Sequence, residues 1–241
     1  MKKMMKVGIA ALAFAAVTSA FAQEEQVIKA KSSNEADGWT TIAFGIASPV
    51  QLPWGGREWD VFGLDINAIW AETAKMYGLG IGGIAMATRN DMMGLQVSGL
   101  CNWATESVYG MRATLGGNIT FGDTYGFDAG LFSYHVGEFR GWDTEFIGSF
   151  QPYAWGLQIA GIANVNVEQG LGASIAIGGN YAKVAYGLQI GGLFNYTQEL
   201  HGCQIGIVNL AKECPWGFQI GVVNIILDNK IKVLPIVNGY F

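Results

Sequence analysis

One short repeated phrase constrains this chain more than any other feature of its sequence. Each copy places an aromatic or apolar residue before glycine, then an apolar residue, then a polar or small one. Clear copies are Tyr77-Gly78-Leu79-Gly80, Trp155-Gly156-Leu157-Gln158 and Trp216-Gly217-Phe218-Gln219. Counting weaker copies, such as the one at Gln169-Gly170, the glycines recur every 14 to 17 residues from Gly63 onward. A fixed period predicts a fold built from one repeated structural unit.

Within each unit the polarity alternates with a period of two residues. In the unit that starts at Gly187, Leu188 and Ile190 fall on one face, and Gln189 and Gly191 fall on the other. This alternation is typical of half-buried β-strands, whereas a helix would repeat every 3.6 residues. A unit of this length therefore predicts about ten residues of strand and about five of turn.

The chain divides into three regions by composition. Residues 1–22 have a basic start, an apolar run from Val7 to Val17 and the sequence Ala20-Phe21-Ala22, which together predict a cleaved secretory signal peptide. Residues 23–39 are polar and show no period, so we expect a flexible N-terminal arm. Residues 40–241 carry the repeats and form the predicted β domain.

Composition favours a membrane protein built from strands. Only 14% of the residues are charged and 51% are hydrophobic, whereas an average soluble domain carries about 25% charged residues. A strand of about ten residues suits a tilted membrane crossing. We therefore predict an all-β fold, an antiparallel up-and-down transmembrane β-barrel of about 12 strands with 14 as the alternative.

A parallel β-solenoid, with one unit per coil, explains the same alternation and is the competing fold. In the barrel, Leu and Ile would face lipid while Gln, Gly and Asn face the interior. In the solenoid, the same Leu and Ile would fill a core and the Gln residues would stack outside. The terminal Phe241 decides for the barrel, because a strand that ends in an aromatic residue resembles the assembly signal of outer-membrane barrels.

The barrel assigns two sets of functional residues. The aromatic residues that open the units are expected to lie at the membrane interfaces: Tyr77, Tyr109, Tyr125, Trp155, Tyr186 and Trp216. The polar residues two positions after glycine are expected to face a lumen, either as the lining of a narrow aqueous path or as a hydrogen-bonded network: Asp65, Arg112, Asp128, Gln158, Gln189, Gln204 and Gln219.

This assignment predicts how a charge is tolerated on each face of a strand. Arginine at the lipid-facing Ile190 or Ile220 is expected to cost about 2–4 kcal/mol. Arginine at Gln189 or Gln219 is expected to be tolerated better.

The last third of the chain resembles a family of bacterial surface-repeat proteins built on Gly-x-Gln-Ile-Gly-x-x-Asn units. The matching copies begin at Gly187, Gly202 and Gly217, and the closing Leu234-Pro235-Ile236-Val237-Asn238 before Phe241 is also similar. The resemblance is specific from about residue 155 onward. It implies a surface or outer-membrane location and no assigned reaction.

The sequence therefore predicts an outer-membrane surface protein, acting as a passive narrow pore or as a scaffold that displays loops. The alternative is a secreted or surface-attached, adhesin-like β-repeat binding module. The expected partners are the lipid bilayer, the outer-membrane assembly machinery and small solutes or ions, and the acidic balance argues against nucleic acid. We expect no enzyme activity, cofactor or metal.

The few cysteines and histidines fit this absence of chemistry. The chain has an odd number of cysteines, Cys101, Cys203 and Cys214. We therefore expect them to pack as small apolar side chains rather than to form a disulfide. Ser133 and His135 share a strand face, but an interfacial histidine explains His135 more simply than a catalytic set.

Overall fold

A computed structural model describes residue 36 and residues 38–48, 50–54 and 58–240. The chain separates into Met1–Glu35 and Ala36–Phe241, and only the second unit is described below. The signal peptide, most of the arm and Phe241 lie outside the described residues, while the last two residues assigned to the arm belong to β1. The strands are β1 (Gly38–Ala47), β2 (Val50–Leu52), β3 (Trp59–Thr73), β4 (Met76–Gly82), β5 (Ala85–Thr88), β6 (Met92–Ser98), β7 (Cys101–Ala104), β8 (Val108–Thr114), β9 (Gly117–Thr120), β10 (Thr124–His135), β11 (Glu138–Ala160), β12 (Ala163–Ala176), β13 (Gly179–Ile226) and β14 (Val233–Gly239).

The strands form a parallel β-solenoid, so the predicted antiparallel barrel is wrong. Successive units pair in the same direction and in register: Gly63 lies beside Gly78, Gly78 beside Gly94, and Gly94 beside Gly110. An antiparallel barrel would instead reverse each unit and send alternate glycines to opposite ends. The identical polarity of every unit follows directly from stacking one coil on the next.

Each coil has two sides, which run between two opposite edges. One side, here the glycine face, carries the repeated glycine and is formed in the first half of the solenoid by β4, β6 and β8. The chain then turns and comes back along the return face, formed there by β5, β7 and β9. Later strands run through the corners, and β13 contains three of the repeated glycines. The number of strands therefore cannot be compared with the about 12 or 14 strands predicted for the barrel.

The repeated glycines form a column in which a side chain does not fit. Eleven glycines have φ between 114° and 150°, a backbone conformation that L-residues rarely adopt. A Cβ atom at Gly94 would lie 2.1 Å from the carbonyl oxygen of Gly78 in the coil before it. The column contains Gly172 rather than Gly170, and this choice makes the spacing 15 or 16 residues throughout.

Antiparallel pairs occur only at the two ends of the described solenoid. At the first coil β1 pairs in parallel with β3, and β2 folds back on β1. At the last coil β14 pairs antiparallel with the end of β13, where Gln219 lies beside Asn238. These pairings satisfy backbone groups that would otherwise be exposed at the end of the stack.

The inward and outward faces of the strands are exchanged relative to the solenoid considered from the sequence, which had Leu and Ile in its core and Gln outside. The described interior is mostly polar, with buried Gln, Asn, Ser and Thr side chains, while many large apolar side chains are exposed. The fold is therefore the alternative one, but Gln faces inward and Leu and Ile face outward, as the barrel had assigned them.

Candidate functional site: a polar interior beneath an apolar exterior

An asparagine column runs through the interior of the return face. The side-chain amide of Asn164 donates to Oδ1 of Asn180 at 2.9 Å, and the same contact continues to Asn195, Asn209 and Asn224 at 2.8–2.9 Å. Several of these amides also donate across the interior to the backbone of the glycine face, as Asn195 does to the carbonyl oxygen of Ile205 at 2.8 Å. The column therefore ties each coil to the next and one face to the other.

A shorter glutamine column lies opposite, inside the glycine face. Nε2 of Gln219 donates to Oε1 of Gln204 at 2.8 Å, and Nε2 of Gln204 donates to Oε1 of Gln189 at 2.8 Å. An amide suits a stacked column because it both donates and accepts, so identical residues can satisfy one another. Side-chain hydrogen bonds thus fill much of the interior, beside two small buried apolar clusters, one around Met76, Met86 and Met92 and one around Leu200 and Ile226.

A charged cluster fills the interior of the middle coils. Arg112 and Asp128 are fully buried and form a two-pronged ion pair, with Nε–Oδ1 at 2.9 Å and Nη2–Oδ2 at 2.5 Å. His135 lies 3.5 Å from Asp128 and contacts the hydroxyl of Thr124 through Nδ1 at 3.0 Å. Burial lowers the pKa of His135 to about 4, so the imidazole is neutral near pH 7 and the pair remains balanced.

Two further carboxyl groups in this cluster keep their protons more tightly than usual. Ser133 donates its hydroxyl to Asp143 at 2.7 Å, and Glu145 lies on the same inward face of its strand. Burial raises the pKa of both carboxyl groups, and the nearby Asp128 raises them further. Protonation removes the cost of burying charge without a counterion.

The structure places all seven residues assigned to a lumen in this packed interior. They occupy equivalent inward positions along the glycine face and are at most 3% exposed. Hydrogen bonds join the neighbours Arg112 and Asp128 and the three C-terminal glutamines, whereas Asp65 bonds only to Asn67 nearby. The asparagines of the column were expected to face the interior, but they were not among the residues assigned to the lumen, although the Asn position of the repeat marks them in sequence.

The aromatic residues assigned to membrane interfaces lie on the exterior of the glycine face. Rings from successive coils stack in parallel: Phe62 on Tyr77 at 4.7 Å and Tyr109 on Tyr125 at 5.1 Å between centroids. His201 takes the ring position and stacks on Tyr186 at 4.5 Å. On the return face, Tyr134 with Phe150 and Tyr181 with Tyr196 form similar pairs. We refer to these two columns of rings as the aromatic bands.

Arg140 replaces an aromatic residue in the glycine-face band. Its guanidinium lies 5.5 Å from the ring centre of Tyr125 and 5.0 Å from that of Trp155, which places a cation between two ring faces. Arg140 also bonds to Glu138 at 2.6 Å. The band therefore continues through this coil, whereas Met93 and Leu171 take the ring position in two other coils.

Charged side chains gather at the edge where the return face leads into the next glycine face. We name this the turn edge, and it also carries backbone contacts: Oδ1 of Asp123 accepts the N–H of Glu138 at 2.8 Å, and Asp91 accepts that of Ser107 at 3.3 Å. Its charged members are Lys75, Arg89, Asp91, Glu106, Asp123, Glu138, Glu168, Lys183, Glu199, Lys212 and Glu213.

The opposite edge is apolar. We name it the apolar edge, and none of its described members is charged; the adjacent Glu145 is only 3% exposed. Leu115 is 79% exposed, Ile177 75% and Phe146 73%. Its members are Ile69, Ile84, Leu100, Leu115, Leu131, Phe146, Ile162, Ile177, Leu193, Val208 and Val222.

A shallow open groove of about 810 Å³ follows the apolar edge along the glycine face. Leu115, Leu131, Phe146 and Ile177 line it together with small residues between them. Ile159, Ile175 and Ile190 also line it, and Thr144 and Glu145 contribute little of its surface. The groove therefore offers apolar contact area with few polar groups that would fix the orientation of a small ligand.

The remaining residues singled out in the sequence show no catalytic arrangement among the described residues. Cys101, Cys203 and Cys214 are free thiols. Ser133 and His135 are buried and contact Asp143 and Thr124 rather than each other. Within the described ranges, no group of three or more His, Cys, Asp or Glu residues is placed to hold a metal ion.

The described residues contain no helix with the length and hydropathy that a membrane crossing would require.

Comparison of the chain with protein-family models, with curated proteins and with solved structures finds no match.

Proposed function

We propose that this chain is an adhesin-like β-repeat binding module that is exported, attaches to a surface through its apolar exterior and presents its turn edge to ligands. The observation that carries this proposal is the separation of charge. Outside the polar interior, most described charged side chains lie at the turn edge, and the opposite edge has none. A body with this polarity has one side suited to water and another suited to an apolar surface.

The turn edge favours a positively charged ligand surface. In the central coils its acidic members are Asp91, Glu106, Asp123, Glu138 and Glu168. Glu138 and Glu168 are ion-paired with Arg140 and Lys183, so Asp91, Glu106 and Asp123 carry most of the negative field. Coils stack at roughly 4.8 Å, so these carboxylates follow one another at close intervals and their fields add. A cationic partner would meet this row without any reaction being required.

The apolar exterior supports attachment rather than an open pore. The pore expectation depended on a barrel lumen, and the same residues instead fill a hydrogen-bonded interior. The binding role accordingly belongs to exterior side chains. The signal peptide expected from residues 1–22 provides the route of export for this proposal.

The test uses the full chain and immobilised polylysine and polyglutamate as charge probes. We expect salt-sensitive retention on polylysine and little on polyglutamate, because exposed charges are screened above about 0.15 M salt. The double variant Glu106→Lys, Glu213→Lys should reduce retention on polylysine at least threefold. Equal retention of the wild type on both probes would reject the proposed role of the turn edge.

Display on cells is tested with an amine reagent that does not cross membranes. Lys75, Lys183 and Lys212 lie at the turn edge, so intact cells should label the chain nearly as well as lysed cells. Labelling only after lysis would show that the chain is not displayed.

A further inference from the structure

The exterior of the solenoid changes polarity in three steps from one edge to the other. Charged residues occupy the turn edge, the aromatic bands follow on both faces, and apolar side chains cover the rest as far as the apolar edge, most of them aliphatic, with Trp142 and Phe146 among them. Tyr and Trp prefer the boundary between water and lipid, where one end of the ring system is wet and the other is dry. The order of the three zones therefore matches the polarity of a lipid leaflet from headgroup to acyl chain.

The depth of the apolar zone also fits one leaflet. From the aromatic bands to the apolar edge the chain makes six residue steps on the glycine face, from Tyr109 to Leu115, and three on the return face, from Leu100 to Trp103. At ~3.3 Å per residue this is about 10–20 Å. The hydrocarbon core of a bilayer is about 30 Å thick, so one leaflet supplies about 15 Å.

We propose that the solenoid lies along a membrane, with its axis in the plane and its apolar edge in the acyl region of one leaflet. The aromatic bands then lie at the headgroup boundary and the turn edge projects into water. This inference rests on the proposed function, because it specifies the surface to which the module attaches.

The area of the exterior favours lipid over a second copy of the chain. The eleven stacked glycines span ten steps of ~4.8 Å, so each face measures roughly 50 by 15 Å, or about 750 Å². A standard protein interface needs about 800 Å² from each partner. A dimer would therefore use one whole face and leave the other face and the apolar edge exposed, whereas a leaflet covers all three.

Charge complementarity points to acyl chains rather than to anionic headgroups. The apolar edge has no charged member among the described residues, and the turn edge has more acidic than basic members. Attraction to a negative membrane surface is therefore not the driving force. We expect binding to neutral phosphatidylcholine vesicles that neither added phosphatidylglycerol nor 0.5 M salt strengthens.

The test measures flotation of the full chain with phosphatidylcholine vesicles. The double variant Leu115→Lys, Ile177→Lys places two charges at the apolar edge, where both native side chains are at least 75% exposed and contribute little to folding. We expect at least a tenfold loss of vesicle binding with an unchanged circular dichroism spectrum. The matched control Glu106→Lys, Glu213→Lys at the turn edge should change vesicle binding less than twofold.

Two results would overturn the proposal. One is equal vesicle binding by wild type and the Leu115→Lys, Ile177→Lys variant. The other is that the wild-type protein does not bind vesicles and forms a dimer in lipid-free buffer, while the Leu115→Lys, Ile177→Lys variant is monomeric. A second copy of the chain would then cover the apolar edge. The two variants separate this inference from the proposed function. If Glu106→Lys, Glu213→Lys loses retention on polylysine but still binds vesicles, the result bears on the role of the turn edge alone. If Leu115→Lys, Ile177→Lys loses vesicle binding but is still retained on polylysine, the result bears on insertion into the leaflet alone.

Discussion

At the scale of single residues, the interior depends on how each polar group finds a partner. Most interior amides meet another amide in the next coil, but Asp65 has Gly80 as its neighbour there. Its Oδ1 accepts from Asn67 at 2.6 Å, and its Oδ2 is buried without a partner among the described residues. Burial raises the pKa of Asp65 to about 7, which makes this carboxyl group a source of pH-dependent stability.

The direction of this pH dependence follows from the number of protons that Asp65 binds in the folded and in the unfolded chain. Between about pH 4 and pH 7 the folded chain retains the Asp65 proton and the unfolded chain has lost it. The contribution of Asp65 to stability therefore decreases as pH rises through this window and is constant above it. A shift of this size corresponds to a few kcal/mol. Asp65→Asn should remove most of this contribution, giving a free energy of unfolding that declines less between pH 4 and pH 7.

Urea unfolding at several pH values measures the effect. The control is Asp228→Asn, whose side chain is exposed. His135, with its lowered pKa, acts in the opposite direction between about pH 4 and pH 6.5 in both proteins and cancels from the comparison. An unchanged pH slope in Asp65→Asn would mean that this carboxyl group is ionised in the folded state.

At the scale of the coil, the glycine column fixes the shape of the repeat. The matched pair Gly94→Ala and Gly80→Ala separates backbone strain from simple crowding. At Gly94 the new Cβ meets a backbone oxygen and φ is 131°, whereas at Gly80 it meets the flexible ends of Met76 and Met86. Gly94→Ala should cost at least about 2 kcal/mol more than Gly80→Ala, since strained φ alone costs about 1–3 kcal/mol.

Urea denaturation of the two glycine variants checks this difference. Equal losses would indicate that the coil can relax at Gly94 and that the column does not define its shape.

The sequence predicted the repeat, its strands and its inward polar positions, but it did not predict how the units pair. Antiparallel and parallel stacking use the same alternation, and the terminal Phe241 decided for the barrel although it lies outside the described residues. A stronger signal was available in the units themselves. Every one has the same direction of polarity, from an aromatic or other large residue to glycine to a mostly polar residue, and only parallel stacking aligns Gln204 with Gln189 and Gln219. The partners of individual residues, such as Thr124 with His135, depend on the coil geometry and could not be read from spacing.

At the scale of the whole molecule, the solenoid is polar inside and apolar outside. A hydrophobic core normally supplies the main driving force of folding. Here the buried apolar clusters around Met92 and around Leu200 are small, and each coil also gains amide hydrogen bonds to its neighbours and stacked rings on its surface. Stability therefore accumulates coil by coil along the axis. The apolar exterior is then available for contact with something other than the chain itself, and the proposed binding function uses this outer surface.

The cost of placing arginine on each face of one strand gives the sharpest test of this arrangement, because the solenoid and the barrel predict opposite orders. Gln219 and Ile220 are neighbours on one strand, and Gln219 is fully buried while Ile220 is 38% exposed and faces outward. Gln219→Arg would bury a charge without a counterion and break the contact with Gln204, at an expected cost of about 3–5 kcal/mol. Ile220→Arg should cost less than about 1 kcal/mol in lipid-free buffer, because its charge remains in water. Urea unfolding followed by circular dichroism measures both. The barrel required the opposite order. A larger loss of unfolding free energy in Ile220→Arg than in Gln219→Arg would therefore contradict a solenoid with a polar interior and an apolar exterior.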